Sequence, residues 1–167
     1  MRDYFIISFK LDAEKYYCIW YTNDFDGVIV DENGCIEQFA SESELHEYCA
    51  KNDIALSPSE ENNALYDLDT LNKWLKEDKV DIDCSFMLNM WNIISDVARS
   101  INKSFVGDDD KMLTIYNKLF YGNNLPVYSP TDKEYIPIWD SDEIDALRLI
   151  LSNGIEAIIR PAINLKS

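Results

Sequence analysis

"YFIISFKLDAEKYYCIWYT" (residues 4–22) decides the fold class. Two runs crowded with aromatic and β-branched side chains, YFIISFK and YYCIWYT, sit on either side of the short polar connection LDAEK. Side chains of this kind suit a pleated, half-buried surface, so the two runs read as neighbouring strands. Next outward, GVIV and CIEQFA flank DENG, whose Asn33-Gly34 pair supplies the positive φ angles of a tight hairpin turn. The first forty residues thus predict an antiparallel meander of about four strands.

Past residue 40 the apolar period lengthens to that of a helix. SESELHEYCA opens with Ser41 three residues before Glu44, a capping-box pattern, and gathers Leu45, Tyr48 and Cys49 on one face. NDIALSPSEENNA reads as a loop with a brief strand at 54–56. DLDTLNKWLKE groups Leu68, Leu71, Trp74 and Leu75. CSFMLNMWNIISDVARSI aligns Met87, Trp91, Ile94, Ala98 and Ile101, and is the expected central core helix. DDDKMLTIYNKLFYG places three acids where a helix dipole favours them, with Gly122 as its stop. NNLPVYSPTDKEYIPIW is an extended loop punctuated by Pro126, Pro130 and Pro137. DSDEIDALRLILSNG is a further helix capped by Asp140 with Glu143, closed by Gly154, and burying Ile144, Leu147, Ile150 and Leu151. IEAIIRPAINL reads as a returning edge strand, where Pro161 is tolerated.

The chain of 167 residues is 47% hydrophobic and 28% charged. A domain of that length buries roughly 68–70% of its unfolded surface, enough for a core without covalent staples. No Pro-, Gly- or Ser-rich linker and no repeat divides it. The expectation is a single α+β domain over 1–167: a small N-terminal antiparallel sheet (about 1–40) packed against four to five helices (about 41–154). No apolar run approaches the ~18–20 residues of a membrane span. MRDYFIISFK lacks the pattern of a signal peptide, which predicts a cytoplasmic protein with no membrane partner. Cys18, Cys35, Cys49 and Cys84 are then expected as small apolar thiols rather than disulfides.

Charge excludes more than it allows. Thirty-one acids against fifteen bases leave a net charge of −16. Between Lys15 and Lys73 stand thirteen acids and one base, Lys51, so twelve of the sixteen excess charges occupy about a third of the chain. A second cluster holds Asp132, Glu134, Asp140, Asp142, Glu143 and Asp145, relieved by Lys133. Direct nucleic-acid binding needs clustered Lys and Arg and is disfavoured. A basic protein partner explains the concentration of charge better than solubility does, because opposed potentials steer association. Aromatics beside the acids would supply contact area: Trp20, Tyr21 and Phe25 near the first cluster, Tyr135 and Trp139 near the second.

TNDFDGVIVDEN (residues 22–33) half-resembles a calcium loop. With Gly27 as the turn glycine, Asp24 and Asp26 take the third and fifth ligand places and Ile29 the apolar eighth. The first place falls on Thr22 and the twelfth on Asn33 instead of a bidentate glutamate, and the flanks read as strands. An acidic turn is the better reading, and no metal or other cofactor is expected. His46 is the sole histidine and sits on a predicted surface helix, no cysteines stand at zinc spacing, and no nucleophile elbow or phosphate loop occurs. The expectation is a protein that is not an enzyme.

Several segments, in order, resemble those of immunity proteins from bacterial polymorphic-toxin systems, contact-dependent growth inhibition in particular: IWYTNDFDGVIV, YDLDTLNKWL, MLNMWNIISDVARSI, IYNKLFYGNNLP and YIPIWDSDEIDALRLIL. The resemblance implies a cytoplasmic inhibitor that binds one cognate toxin domain tightly and blocks its active site or substrate access. Many such toxins are nucleases, tRNA-cleaving ones included, which agrees with the charge argument. The candidate contact residues are Trp20, Asp24, Phe25, Asp26, Asp31, Glu32 and Glu37 in the hairpin region, then Trp139, Asp140, Asp142 and Glu143. Competing readings are an acidic adaptor or nucleic-acid mimic with another basic partner, a calcium-binding module, and a carboxylate-using enzyme.

Overall fold

The computed structural model describes residues 1–58, 63–78, 81–126 and 133–163. Glu60, Glu61, Pro130, Asp132 and the last residues of the expected edge strand lie outside these.

Strands β1 (Asp3–Leu11) and β2 (Glu14–Thr22) pair antiparallel from Asp3↔Thr22 to Leu11↔Glu14. Their two-residue turn puts both Asp12 (φ 54) and Ala13 (φ 66) in the left-handed region without a glycine. That conformation costs roughly 1–2 kcal/mol per residue. Asp69 offsets the cost: its carboxylate accepts the Asp12 and Ala13 backbone N–H groups at 2.7 and 2.9 Å. Arg160 clamps the same tip, donating to both Asp12 carboxylate oxygens at 2.7 and 3.2 Å.

The antiparallel meander continues in broken form. β3 (Gly27–Val28) and β4 (Gln38–Phe39) both pair with β2, one after the other along its free edge. Residues 30–37 loop out between them, closed by a Val30–Ile36 bridge. The Asn33-Gly34 turn expected from sequence is corrected: Gly34 alone has positive φ (78°), and the bend is built by Asp31 instead. One Asp31 oxygen accepts the N–H groups of Asn33 and Cys35.

β5 (Ala64–Asp67) joins β1 in parallel, giving the order β3-β2-β1-β5 with β4 also on β2. It was not legible as a strand, since four residues with Leu65 half exposed carry little period. The expected brief strand at 54–56 is reduced to one Tyr4–Leu56 bridge.

Alternation along β1 splits the core in two. Ile6 and Ile19 face α1 (Glu42–Lys51), meeting Phe39, Leu45 and Cys49. Ile7, Phe9, Leu11 and Cys18 face the main core, with α2 (Leu68–Lys76), α3 (Cys84–Ser100), α4 (Leu113–Gly122) and α5 (Ser141–Asn153). The expected α+β class is the one observed, with α1 on one face of the sheet and the other helices on the opposite face. Caps match the sequence pattern: Ser41 accepts from Glu44 N–H, and Asp140 with Glu143 forms a complete capping box.

Two expectations near the C-terminus are overturned. Gly154 does not end α5; its φ of −57° and ψ of −45° are helical. The chain runs on through a π-helical stretch, Gly154–Ile159, into α6 (Arg160–Ile163), so residues 155–163 are not an edge strand. Ile155, Ile158, Ile159, Ala162 and Ile163 are all buried, a helical stripe that the β-branched composition disguised. The wide π turn, with Arg160 N–H donating to Ile155 O, accommodates Pro161, which has no N–H to give and would crowd a regular turn. Gly154 lies against α3, where an added Cβ would stand 2.7 Å from Ile94 Cδ1.

Gly122 likewise serves packing. Its Cβ would sit 2.5 Å from Cys84 Sγ and 2.9 Å from Pro137 Cγ, while the left-handed residue after α4 is Asn124 (φ 53). Cys18, Cys49 and Cys84 are buried thiols, and Cys35 is half-buried. Among the described residues no helix is long and apolar enough to cross a membrane.

A candidate acid-rimmed docking groove

The turn that opens as a half-formed calcium loop is an interlocked corner. Thr22 Oγ1 donates to Asp26 Oδ1 at 2.6 Å, and Phe25 N–H donates to Asn23 Oδ1 at 2.9 Å. Arg99 Nη1 donates to the Asp26 carbonyl at 2.7 Å, and Val28 N–H donates to Ser100 Oγ at 3.0 Å, latching the turn to the end of α3. Gly27 answers the packing, since a Cβ there would lie 2.5 Å from Tyr21 Oη and 2.8 Å from Ser100 Oγ. Asp24 and Phe25 project outward, Phe25 with 70% of its surface exposed.

Beside this corner runs a groove of about 610 Å³. Its floor is the outer stripe of α3, where Asn89, Asn92, Asp96 and Arg99 recur at helical spacing. One wall is Trp20, Asp26 and Tyr66; the other is Gly107 to Asp110 with Leu113 and Tyr116. The second wall is fixed by Ser95 Oγ donating to Asp108 at 2.6 Å and Tyr116 Oη donating to Asn92 at 2.8 Å. Gly107 permits the close approach: a Cβ would meet the Phe105 ring at 2.6 Å and Trp91 Nε1 at 2.9 Å. Two smaller hollows continue it. One, of about 380 Å³, is lined by Phe5, Ile7, Trp20, Ala64, Tyr66 and Asn89. The other, of about 250 Å³, lies over Arg2, Tyr21 and the Asn23–Asp26 turn.

Electrostatically the groove is one-sided. Among the described residues, Asp26, Asp96, Asp108, Asp109 and Asp110 line it against a single cation, Arg99. Asp96 holds the centre: Trp20 Nε1 donates to its Oδ2 at 3.0 Å and Arg99 lies 3.5 Å from its Oδ1. Burial is the main force that raises its pKa, with the Asp26 charge adding to the rise and Trp20 and Arg99 opposing it. Tyr66 is pushed up likewise, by burial first and then by the Asp96 charge.

The residues singled out from sequence fall in three places. Trp20 and Asp26 line the groove, and Asp24 and Phe25 stand at its mouth. Asp31, Glu32 and Glu37 sit together on the looped-out segment, where burial and then the charges of Asp31 and Glu32 raise the Glu37 pKa. Trp139, Asp140, Asp142 and Glu143 surround the start of α5. There Asp140 and Glu143 are occupied in the capping box, Glu143 pairs with Lys118 at 2.6 Å, and the Lys118 ammonium lies 5.4 Å from the Trp139 ring centre. Asp142 is exposed and has no such tie among the described residues, and Ile136 and Ile138, a few residues earlier in the chain, also face solvent.

Sequence reasoning missed Asp96, Asp108, Asp109, Asp110, Tyr66, Asn89, Asn92 and Tyr116. The polar stripe of α3 was the available signal, since it is the complement of the apolar stripe that was read. His46 is exposed on α1. Among the described residues no three His, Cys, Asp or Glu side chains converge as metal ligands.

The fold and groove define a class in physical terms alone: an α+β domain carrying an aromatic, acid-rimmed cleft. The chain matches no protein-family model, no curated protein and no solved structure.

Proposed function

We propose that this chain is a toxin-neutralising immunity protein: a non-enzymatic, cytoplasmic binder that occupies the active site or substrate path of one basic, nuclease-type toxin domain. The observation that carries the reading is the groove, where, among the described residues, five carboxylates and one guanidinium gather beside Trp20 and Tyr66 over the polar stripe of α3. A nuclease keeps cationic side chains at its active site to hold phosphates, and a fixed acidic surface meets them as nucleic acid would. The net charge of −16 extends the same attraction to long range, and the family resemblance supplies the biological setting. Asp96 has one oxygen on the Trp20 indole and the other facing Arg99, which suits a positioned charge better than a proton-transfer group.

Co-expression tests this. The toxin domain encoded immediately upstream of the chain's gene is induced in a sensitive host with and without this protein. Growth and intact RNA are expected only when the protein is present. Binding without protection would leave the adaptor or mimic reading in its place, and neither binding nor protection would remove the proposal.

A further inference from the structure

We propose that the groove is built to receive an arginine side chain of the partner, laid along Trp20 and Tyr66 and paired with Asp96, with neighbouring apolar residues of the same partner segment on the Phe5–Ile7–Ala64 hollow. This rests on the function proposed above and names the chemistry that its surface recognises.

Three observations converge. The hollow over Phe5, Ile7 and Ala64 and the acid-rimmed groove share Trp20, Tyr66 and Asn89, so they form one continuous surface, charged at one end and lined mainly by aliphatic and aromatic side chains at the other. The charge is unbalanced locally as well as globally. Arg99 lies against Asp96 and touches Asp26 at its carbonyl, and among the described residues the ion pairs leave out the carboxylates of Asp26 and, on the facing wall, of Asp108, Asp109 and Asp110. Finally, the site already holds one guanidinium: Arg99 donates to the Asp26 carbonyl at 2.7 Å beside the Asp96 carboxylate at 3.5 Å. A second planar cation finds the same acceptors and, in Trp20 and Tyr66, ring systems to lie against.

Guanidinium suits this better than ammonium. It is the more weakly hydrated ion, stacks on aromatic rings, and offers a fork of donors to carboxylates on two walls. Burial of Asp96 strengthens its pairing with an incoming cation, since the carboxylate has already lost much of its water. A second copy of this chain is the wrong occupant, because two bodies of charge −16 repel.

The probe is N-acetyl-arginine amide, titrated into the 15N-labelled full chain and followed by NMR. The expected result is a saturable shift of the Trp20 indole N–H with the amides of Asp96 and 108–110. N-acetyl-citrulline amide, of the same shape without charge, should leave these signals in place, and N-acetyl-lysine amide should bind several-fold more weakly. D96N should weaken the arginine response about tenfold, the scale of one hydrogen bond to a charged group. D142N removes one equal charge at the start of α5 and should leave the response unchanged. D109N/D110N removes two exposed charges of the facing wall, with asparagine able to keep the acceptor that Asp109 gives the Lys111 N–H, and should weaken it several-fold, which makes the test independent of Asp96. An equal response to lysine amide, shifts spread equally over 31–37 and 140–145, equal effects of D96N and D142N, or no saturation would each overturn the proposal. Cells protected from the toxin by a protein with no localised arginine response would retain the immunity reading and lose this one.

Discussion

The junction between α5 and the π-helical stretch makes a two-signed prediction. In G154A the new Cβ would lie 2.7 Å from Ile94 Cδ1 and 2.9 Å from Ile94 Cγ2, both inside contact distance, and Ile94 is fully buried. Overpacking of this kind costs about 1–3 kcal/mol. Gly154 is helical, so alanine also returns about 0.8–1 kcal/mol of helix propensity. The net expectation is a loss of roughly 0–2 kcal/mol, or up to ~8 °C in Tm for a chain of this size. I94A alone should cost about 2–5 kcal/mol by leaving a cavity. In the I94A background the clashing atoms are gone, and G154A should turn from neutral or destabilising to stabilising by about 1 kcal/mol. Urea denaturation of the four proteins gives the cycle. If G154A has the same effect with and without Ile94, the last helix does not pack on α3 as described.

The other predictions concern the groove and the turn that frames it. D96N should raise Tm at neutral pH. Burial first, then Asp26, raises the Asp96 pKa above its unfolded value against the pull of Trp20 and Arg99, so wild-type stability falls as pH rises from about 4 through the folded-state pKa. Tm measured from acid to neutral pH should show the variant's advantage growing upward, and a pH-independent difference would contradict this origin. Charge reversal of Asp24, Asp26, Asp31 and Glu32 to lysine should slow association with the proposed toxin domain and flatten its salt dependence. Unchanged affinity and salt slope would exclude those four as contacts. D69A should cost roughly 1–3 kcal/mol in a melt, because the two strained N–H groups at the hairpin tip lose their acceptor.

How much was legible follows from which interactions are local. The hairpin, α1, α2, α3 and the Asp140 cap were readable because period and capping are written in neighbouring residues. β5 was not, since a four-residue parallel edge depends on β1, which precedes it by more than fifty residues. Residues 155–163 misled because isoleucine has strand propensity by itself, while its spacing here serves a helix buried on α3. Gly27, Gly122 and Gly154 signalled turns or stops in the sequence, and each instead marks a place where a neighbouring side chain leaves no room for a Cβ. The site was half visible: Trp20 and Asp26 were found by charge and aromatic content. Asp96 and the 108–110 acids join them through the tertiary approach of α3 to β2. Several other acids, notably Asp31, Asp69, Asp140 and Glu143, hold backbone or cap helices, and composition alone does not separate these from acids that face a partner.

The proposed function requires the acidic groove to meet a basic protein. The most direct test is the association rate with the toxin domain proposed as its partner, measured by stopped-flow Trp fluorescence across a salt series. Steered binding predicts a rate well above the 10⁵–10⁶ M⁻¹s⁻¹ of unsteered pairs, roughly, that falls steeply as salt is added and drops in D109N/D110N. An association rate indifferent to salt and to that substitution would contradict it.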